Sequence, residues 1–151
     1  VSLRRVTAFT LVELTIVMAL LGAVAAFAIV PAAGAHGRLS ASAAAGRFAL
    51  VLREAQARAQ ITGSRIQVTV TDDARYTVAE ESLGGPVVIS AGTLGPARCS
   101  TNYPAGGIVF SPAGWPCAVT SGAARAGSFV FAWGVDSSTV VVQLGGCVRC
   151  R

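Results

Sequence analysis

Side chains able to do chemistry are few in this chain and widely scattered. Its 151 residues include one histidine, His36, and four cysteines, Cys99, Cys117, Cys147 and Cys150. His36 stands far in sequence from Asp136 and from every serine that could serve as a nucleophile, and reads as a polar residue at the end of an apolar stretch. There is no phosphate-cradling glycine loop, no nucleophile elbow and no pair of carboxylates spaced to hold a metal. Trp115 and Trp133 read as core or loop packing rather than ligand platforms. The expectation is a protein that is not an enzyme and carries no cofactor and no metal.

The cysteines have three possible pairings. Cys99–Cys117 would close a loop-rich segment and Cys147–Cys150 would pin the last turn, which makes that pairing the preferred one. A four-cysteine zinc site needs two close pairs, and only Cys147 and Cys150 are so spaced. Thioredoxin-like chemistry lacks the helix after Cys147-Val148-Arg149-Cys150 that would lower a thiol pKa.

The residue with the most to say is Glu13. It sits among Phe9, Leu11, Val12, Leu14 and Ile16, at the start of 22 uncharged residues from Leu14 to Ala35. A run of that length is what a membrane span requires. It also absorbs much of a composition that is 53% apolar and only 13% charged, which excludes a plain cytosolic enzyme and a disordered chain. Arg4 and Arg5 precede the run and would hold that end in the cytoplasm, with the remainder outside. Unpaired in a bilayer, the Glu13 carboxylate would cost about 2–3 kcal/mol. A cut between Ala8 and Phe9 would create an α-ammonium four residues away, able to neutralise it in the same chain or in a neighbour. The alternative is that Glu13 rests in the headgroup zone. Ala33-Gly34-Ala35 also offers a secretory cleavage site, which would free a soluble domain.

All twelve basic residues are arginine. From His36 onward, ten arginines face six acids, a net +4 that permits contact with phosphates without requiring it. Beyond Pro31, Leu39, Ala43, Phe48, Leu52, Ala55 and Ala59 recur near helical spacing, with Glu54 and Arg58 four apart on an exposed face and Gly63 as the stop. A helix over roughly 9–61, bent near Pro31, follows. Ile66, Val68 and Val70 then alternate with polar residues, Asp72-Asp73-Ala74 turns, and Tyr76 and Val78 alternate on the return. Further strands are expected at 87–89, 108–110, 129–133 and 139–144, with weak patterning between Gly84 and Gly127. The fold class is α+β, a long N-terminal helix packed on an antiparallel sheet.

Phe9-Thr10-Leu11-Val12-Glu13-Leu14, continued by Thr15-Ile16-Val17-Met18-Ala19-Leu20-Leu21-Gly22, resembles the class III signal of type IV pilins and type II secretion pseudopilins. The resemblance implies prepilin peptidase cleavage between Ala8 and Phe9 and N-methylation of Phe9. It further implies that Glu13 meets a neighbouring subunit's N-terminus during assembly, and that Pro31 kinks the helix. Ala8 stands where the family usually has glycine. The helix Arg47–Ala59, the strand beginning at Gly63–Val70, Ile108-Val109-Phe110-Ser111-Pro112-Ala113-Gly114 and the closing Val140–Gly146 resemble the GspH/FimT branch of minor pseudopilins. Some members of that branch bind DNA through a Gly-Arg-x-Arg signature near the end. The aligned positions here are Gly146, Cys147, Val148 and Arg149, so cysteine replaces the first arginine, with Arg151 nearby.

The expected organisation is a leader over 1–8, a membrane and assembly helix over 9–35 and a periplasmic head over 36–151. The expected function is that of a minor pseudopilin near the tip of a type II secretion pseudopilus, anchored by one pass in the inner membrane. Its implied partners are other pilin or pseudopilin subunits, prepilin peptidase, and secretion cargo or the outer-membrane secretin. The alternative is a FimT-like minor type IV pilin that binds DNA through Arg149 and Arg151.

Overall fold

The structure, a computed structural model, describes residues 11–71 and 74–151, with helix side chains 26–38 set apart from that description. One helix, α1 (Leu11–Thr62), runs through two compact units, Val1–His36 and Gly37–Arg151.

In the first unit α1 exposes its apolar side chains, among them Leu11, Leu14, Ile16, Leu20 and Val24. Thr15, the lone hydroxyl inside the run, returns its Oγ1 to the Val12 carbonyl at 2.8 Å, so its polar group is satisfied within the helix. Among the described residues no helix is long and apolar enough to cross a membrane. Side chains of the Leu14–Ala35 run are described only as far as Ala25.

The second unit is a helix on two sheets. Its part of α1 buries Ala41, Ala44, Ala45, Phe48, Leu52, Ala55 and Ala59, a stripe repeating every three or four residues. Leu39 and Ala43, expected on that stripe, are exposed instead. Alanine at most buried positions lets the helix backbone lie close to the strands, and Phe48 and Leu52 fill what remains. At the end Gly63 N–H donates to the Ala59 carbonyl at 3.0 Å and closes the last turn, where the sequence places the stop.

The first sheet contains β1 (Ile66–Val70), β2 (Arg75–Ser82), β3 (Gly85–Thr93), β5 (Gly107–Phe110) and β6 (Pro116–Ala118), ordered β3-β2-β1-β5-β6. The second contains β4 (Arg98–Thr101), β7 (Gly127–Trp133), β8 (Asp136–Val142) and β9 (Val148–Cys150), ordered β4-β7-β8-β9. Every pairing is antiparallel. A single sheet was the expectation, and 84–127 was expected to be loop-rich apart from strands at 87–89 and 108–110. Those two strands are present within β3 and β5, and the stretch also holds β4 and β6, which were not expected. β4, β6 and β9 are three or four residues long, too short for an alternating pattern to register. Asp72 and Asp73 of the expected turn lie outside the described residues.

Both sheets pack inward on the helix. Phe48 meets Phe129 edge-on at 4.7 Å between ring centroids and Phe131 at 5.4 Å, while Tyr103 stacks on Phe129 at 5.2 Å. Ile66, Val68, Ile108 and Phe110 close the core from the first sheet, and Val140, Val142 and Val148 from the second.

Candidate functional site

The described residues contain nothing arranged as a reaction centre. No group of three or more His, Cys, Asp or Glu side chains converges among them. A cavity of about 40 Å³ lies between α1 and the first sheet, walled by Val51, Ala55, Arg58, Tyr76, Val78 and Ile89. That is room for a water, not for a substrate. What the architecture offers is surfaces and the helix that carries them.

Ala8 and Phe9 lie outside the described residues. Glu13 is in the first turn of α1 and exposed, where the helix dipole favours a carboxylate. Its neighbours Leu11, Val12 and Leu14 are exposed with it. Pro31 and His36 fall within α1, but their side chains are outside the description. Trp115 and Trp133 are 53% and 37% exposed, the first between β5 and β6 and the second ending β7, so neither is core packing.

All four cysteines are thiols. Cys99 and Cys117 are buried on β4 and β6, strands of different sheets, and the segment between them is ordered by strand pairing without a cross-link. The expected Cys147–Cys150 bond meets a geometric obstacle. Gln143 N–H donates to Cys147 O at 3.0 Å, and Thr139 and Arg151 exchange two bonds of 2.8 Å, so the chain is extended between those points. Three extended steps separate the two α-carbons by about 10 Å, beyond the roughly 7 Å a disulfide tolerates. Cys150 instead directs its sulfur at the Ala45 carbonyl of the helix, 3.7 Å away.

The C-terminal strand is strapped along α1. Arg53 Nη2 donates to the Val148 carbonyl at 3.0 Å, and Gln56 Nε2 donates to the Gly114 carbonyl at 2.9 Å. Gly114 and Gly146 both have positive φ, +82° and +79°. A Cβ on Gly114 would strike the Gln60 amide, and one on Gly146 the Gln56 amide. Gln56 thus bonds the β5–β6 turn of one sheet while packing against the β8–β9 turn of the other, and Gln60, one helical turn on, packs against Gly114. Sequence reading missed this latch. Arg53 and Gln56 look like solvated helix positions, and only the approach of distant segments gives them partners. Arg58 likewise reaches Glu80 across to β2 at 4.0 Å, rather than following the expected i,i+4 pairing with Glu54.

Arg149 and Arg151 are exposed at the β9 edge. Arg98, absent from the sequence-derived candidates, is exposed on β4 at the opposite edge of the same sheet. Its position beside buried Cys99 was the available signal, but a four-residue strand gave no pattern to read it by.

No family model and no curated protein matches the sequence. Solved structures do match the fold. The minor pseudopilin EpsH from the type 2 secretion system of Vibrio cholerae aligns with a TM-score of 0.60 at 16% identity, over 74% of this chain and 96% of that one. The type IV minor pilin FimU of Pseudomonas aeruginosa PAO1 aligns with a TM-score of 0.60 at 11% identity, over 76% and 90%. The fold is that of the minor pilins and pseudopilins. In this pilin-like fold the α+β class expected from the sequence holds, with a helix on antiparallel strands divided between two sheets.

Proposed function

We propose that this chain is a minor pseudopilin of a type II secretion system, a structural subunit rather than an enzyme. The observation carrying this reading is the pilin-like fold shared with EpsH, taken together with the sequence Phe9-Thr10-Leu11-Val12-Glu13-Leu14 before the apolar run. On this reading the chain is stored in the inner membrane by its apolar helix, with the head in the periplasm. Prepilin peptidase cuts between Ala8 and Phe9, and the new amine is methylated. Glu13 then meets the N-terminus of a neighbouring subunit, an ion pair whose value rises as water is excluded. Helix packing drives assembly and that pair sets axial register. The head is left to meet other subunits, cargo or the secretin near the filament tip.

The test is the intact mass and N-terminal sequence of the protein from native membranes. A chain beginning at methylated Phe9 supports the reading. A chain beginning at His36 would make it an exported soluble protein and remove the role given to Glu13.

A second reading, a FimT-like minor type IV pilin acting in DNA uptake, draws on the equal likeness to FimU and on the exposed Arg149 and Arg151. Gel-shift binding by the detergent-purified full chain would support it if affinity fell with salt and with loss of both arginines. Binding indifferent to both changes would count against it.

A further inference from the structure

The second sheet has one face on the core and one on solvent. Phe129, Phe131, Val140, Val142 and Val148 point inward, so strand alternation turns their neighbours outward. The registers align the outward positions in rows: Val130 lies beside Thr139, and Ala132 beside Ser137. The middle of this face is therefore small and uncharged, and open depressions run along it past Ala132, Thr139 and Val141.

Charge appears only at the two edges. Arg98 stands on β4, while Arg149 and Arg151 stand two residues apart on the β9 side, about 14 Å away across three interstrand gaps. Alternation points all three to the same face, and no outward position of these strands is acidic. None of the three makes an ion pair among the described residues, whereas Arg58 and Arg65 are paired with Glu80 and Glu81. Arg53 and Arg125 are engaged with the Val148 and Asn102 carbonyls.

We propose that this outer face docks the head of a neighbouring filament subunit that sets carboxylates against Arg98, Arg149 and Arg151 and uncharged side chains against the strip between them. The proposal rests on the filament-subunit reading above. An uncharged centre inside a charged rim is the anatomy of a protein–protein contact. Nucleic-acid surfaces are far more positive throughout, and this face keeps positive charge off its middle. Rim arginines of this kind act mainly on the rate and specificity of encounter and make it sensitive to salt.

The experiment uses the full chain in its own host, with the photocrosslinker p-benzoylphenylalanine at Val130, and at Val87 on β3 as a control. Filament incorporation is read separately by co-sedimentation. The expected result is an adduct at position 130, identified by mass spectrometry as another subunit of the same filament, and none at 87. Reversing the rim (Arg98→Glu, Arg149→Glu, Arg151→Glu) should reduce the adduct roughly tenfold, while Arg149→Lys, which keeps the charge, should retain it. Normal co-sedimentation with no subunit adduct at 130, or with one indifferent to charge reversal, overturns the docking face and leaves the filament reading standing. Failure of the unmodified chain to co-sediment overturns the filament reading and the docking with it. A nuclease-sensitive adduct, together with a DNA gel shift abolished by the rim reversal, overturns protein docking in favour of nucleic acid.

Discussion

Gln56 and Gly114 are 58 positions apart in sequence, yet the Gln56 side-chain amide donates to the Gly114 carbonyl over 2.9 Å. The same amide lies against Gly146, where an added Cβ would also strike that carbonyl. One helix side chain therefore gathers a turn from each sheet. Alanine at Gly114 or Gly146 should destabilise the head by about 1–3 kcal/mol, because an L-residue is strained at such φ values and the glutamine must also retreat. Gln56→Ala should cost about 1 kcal/mol. Denaturant midpoints of the full chain in detergent measure each, and a double-mutant cycle should show Gln56 and Gly146 coupled. Additive effects would separate them.

Phe48 is fully buried and touches two aromatic rings of the second sheet, Phe129 and Phe131. Phe48→Ala should remove about 3–5 kcal/mol through lost burial and the cavity left behind. Phe48→Leu should lose less. Equal losses for the two variants, read by chemical denaturation, would mean that the site collapses around any side chain.

The Tyr103 phenol donates to the Arg125 carbonyl at 3.1 Å, and burial pushes its pKa up to about 12 against the opposing pull of the Arg125 guanidinium. In the unfolded chain it titrates near 10. Below about pH 10 both states hold the proton and the contribution is complete. Between about pH 10 and 12 the unfolded chain releases its proton while the folded chain keeps it, so stability falls as pH rises. Tyr103→Phe should flatten that alkaline decline, and parallel declines for the two proteins would assign it elsewhere.

Peptide mapping under non-reducing conditions should find no Cys147–Cys150 bridge, because the extended backbone holds the two α-carbons too far apart. A recovered bridge would require β9 to leave β8. Its reduction would then be expected to increase protection of the Val148 and Cys150 amides in hydrogen exchange.

Glu13→Ala should leave membrane insertion intact and impair incorporation into filaments. Removing a carboxylate makes the apolar segment easier to insert, while the proposed partner amine loses its counter-charge. Co-sedimentation with filaments compared with total membrane content measures the two effects separately. Normal incorporation would end the register role proposed for Glu13.

Local periodicity carried a large part of this protein. The buried alternation of Ile66, Val68 and Val70, the helix stop at Gly63 and the core role of Phe48, Leu52, Ala55 and Ala59 all follow from spacing and side-chain type within a few residues. Those features depend on contacts whose geometry repeats along the chain, every two residues in a strand and about every 3.6 in a helix.

Tertiary structure alone decided the rest, because it concerns residues brought together from far apart. β4, β6 and β9 are too short to show a period and exist through pairing with longer neighbours. The division into two sheets, the glutamine latch on Gly114 and Gly146, and the partnership of Arg58 with Glu80 depend on where distant segments cross. Arg98 joined Arg149 and Arg151 on one face only because β4 and β9 are opposite edges of the same sheet, a relation set by strand order and not by any interval in the sequence.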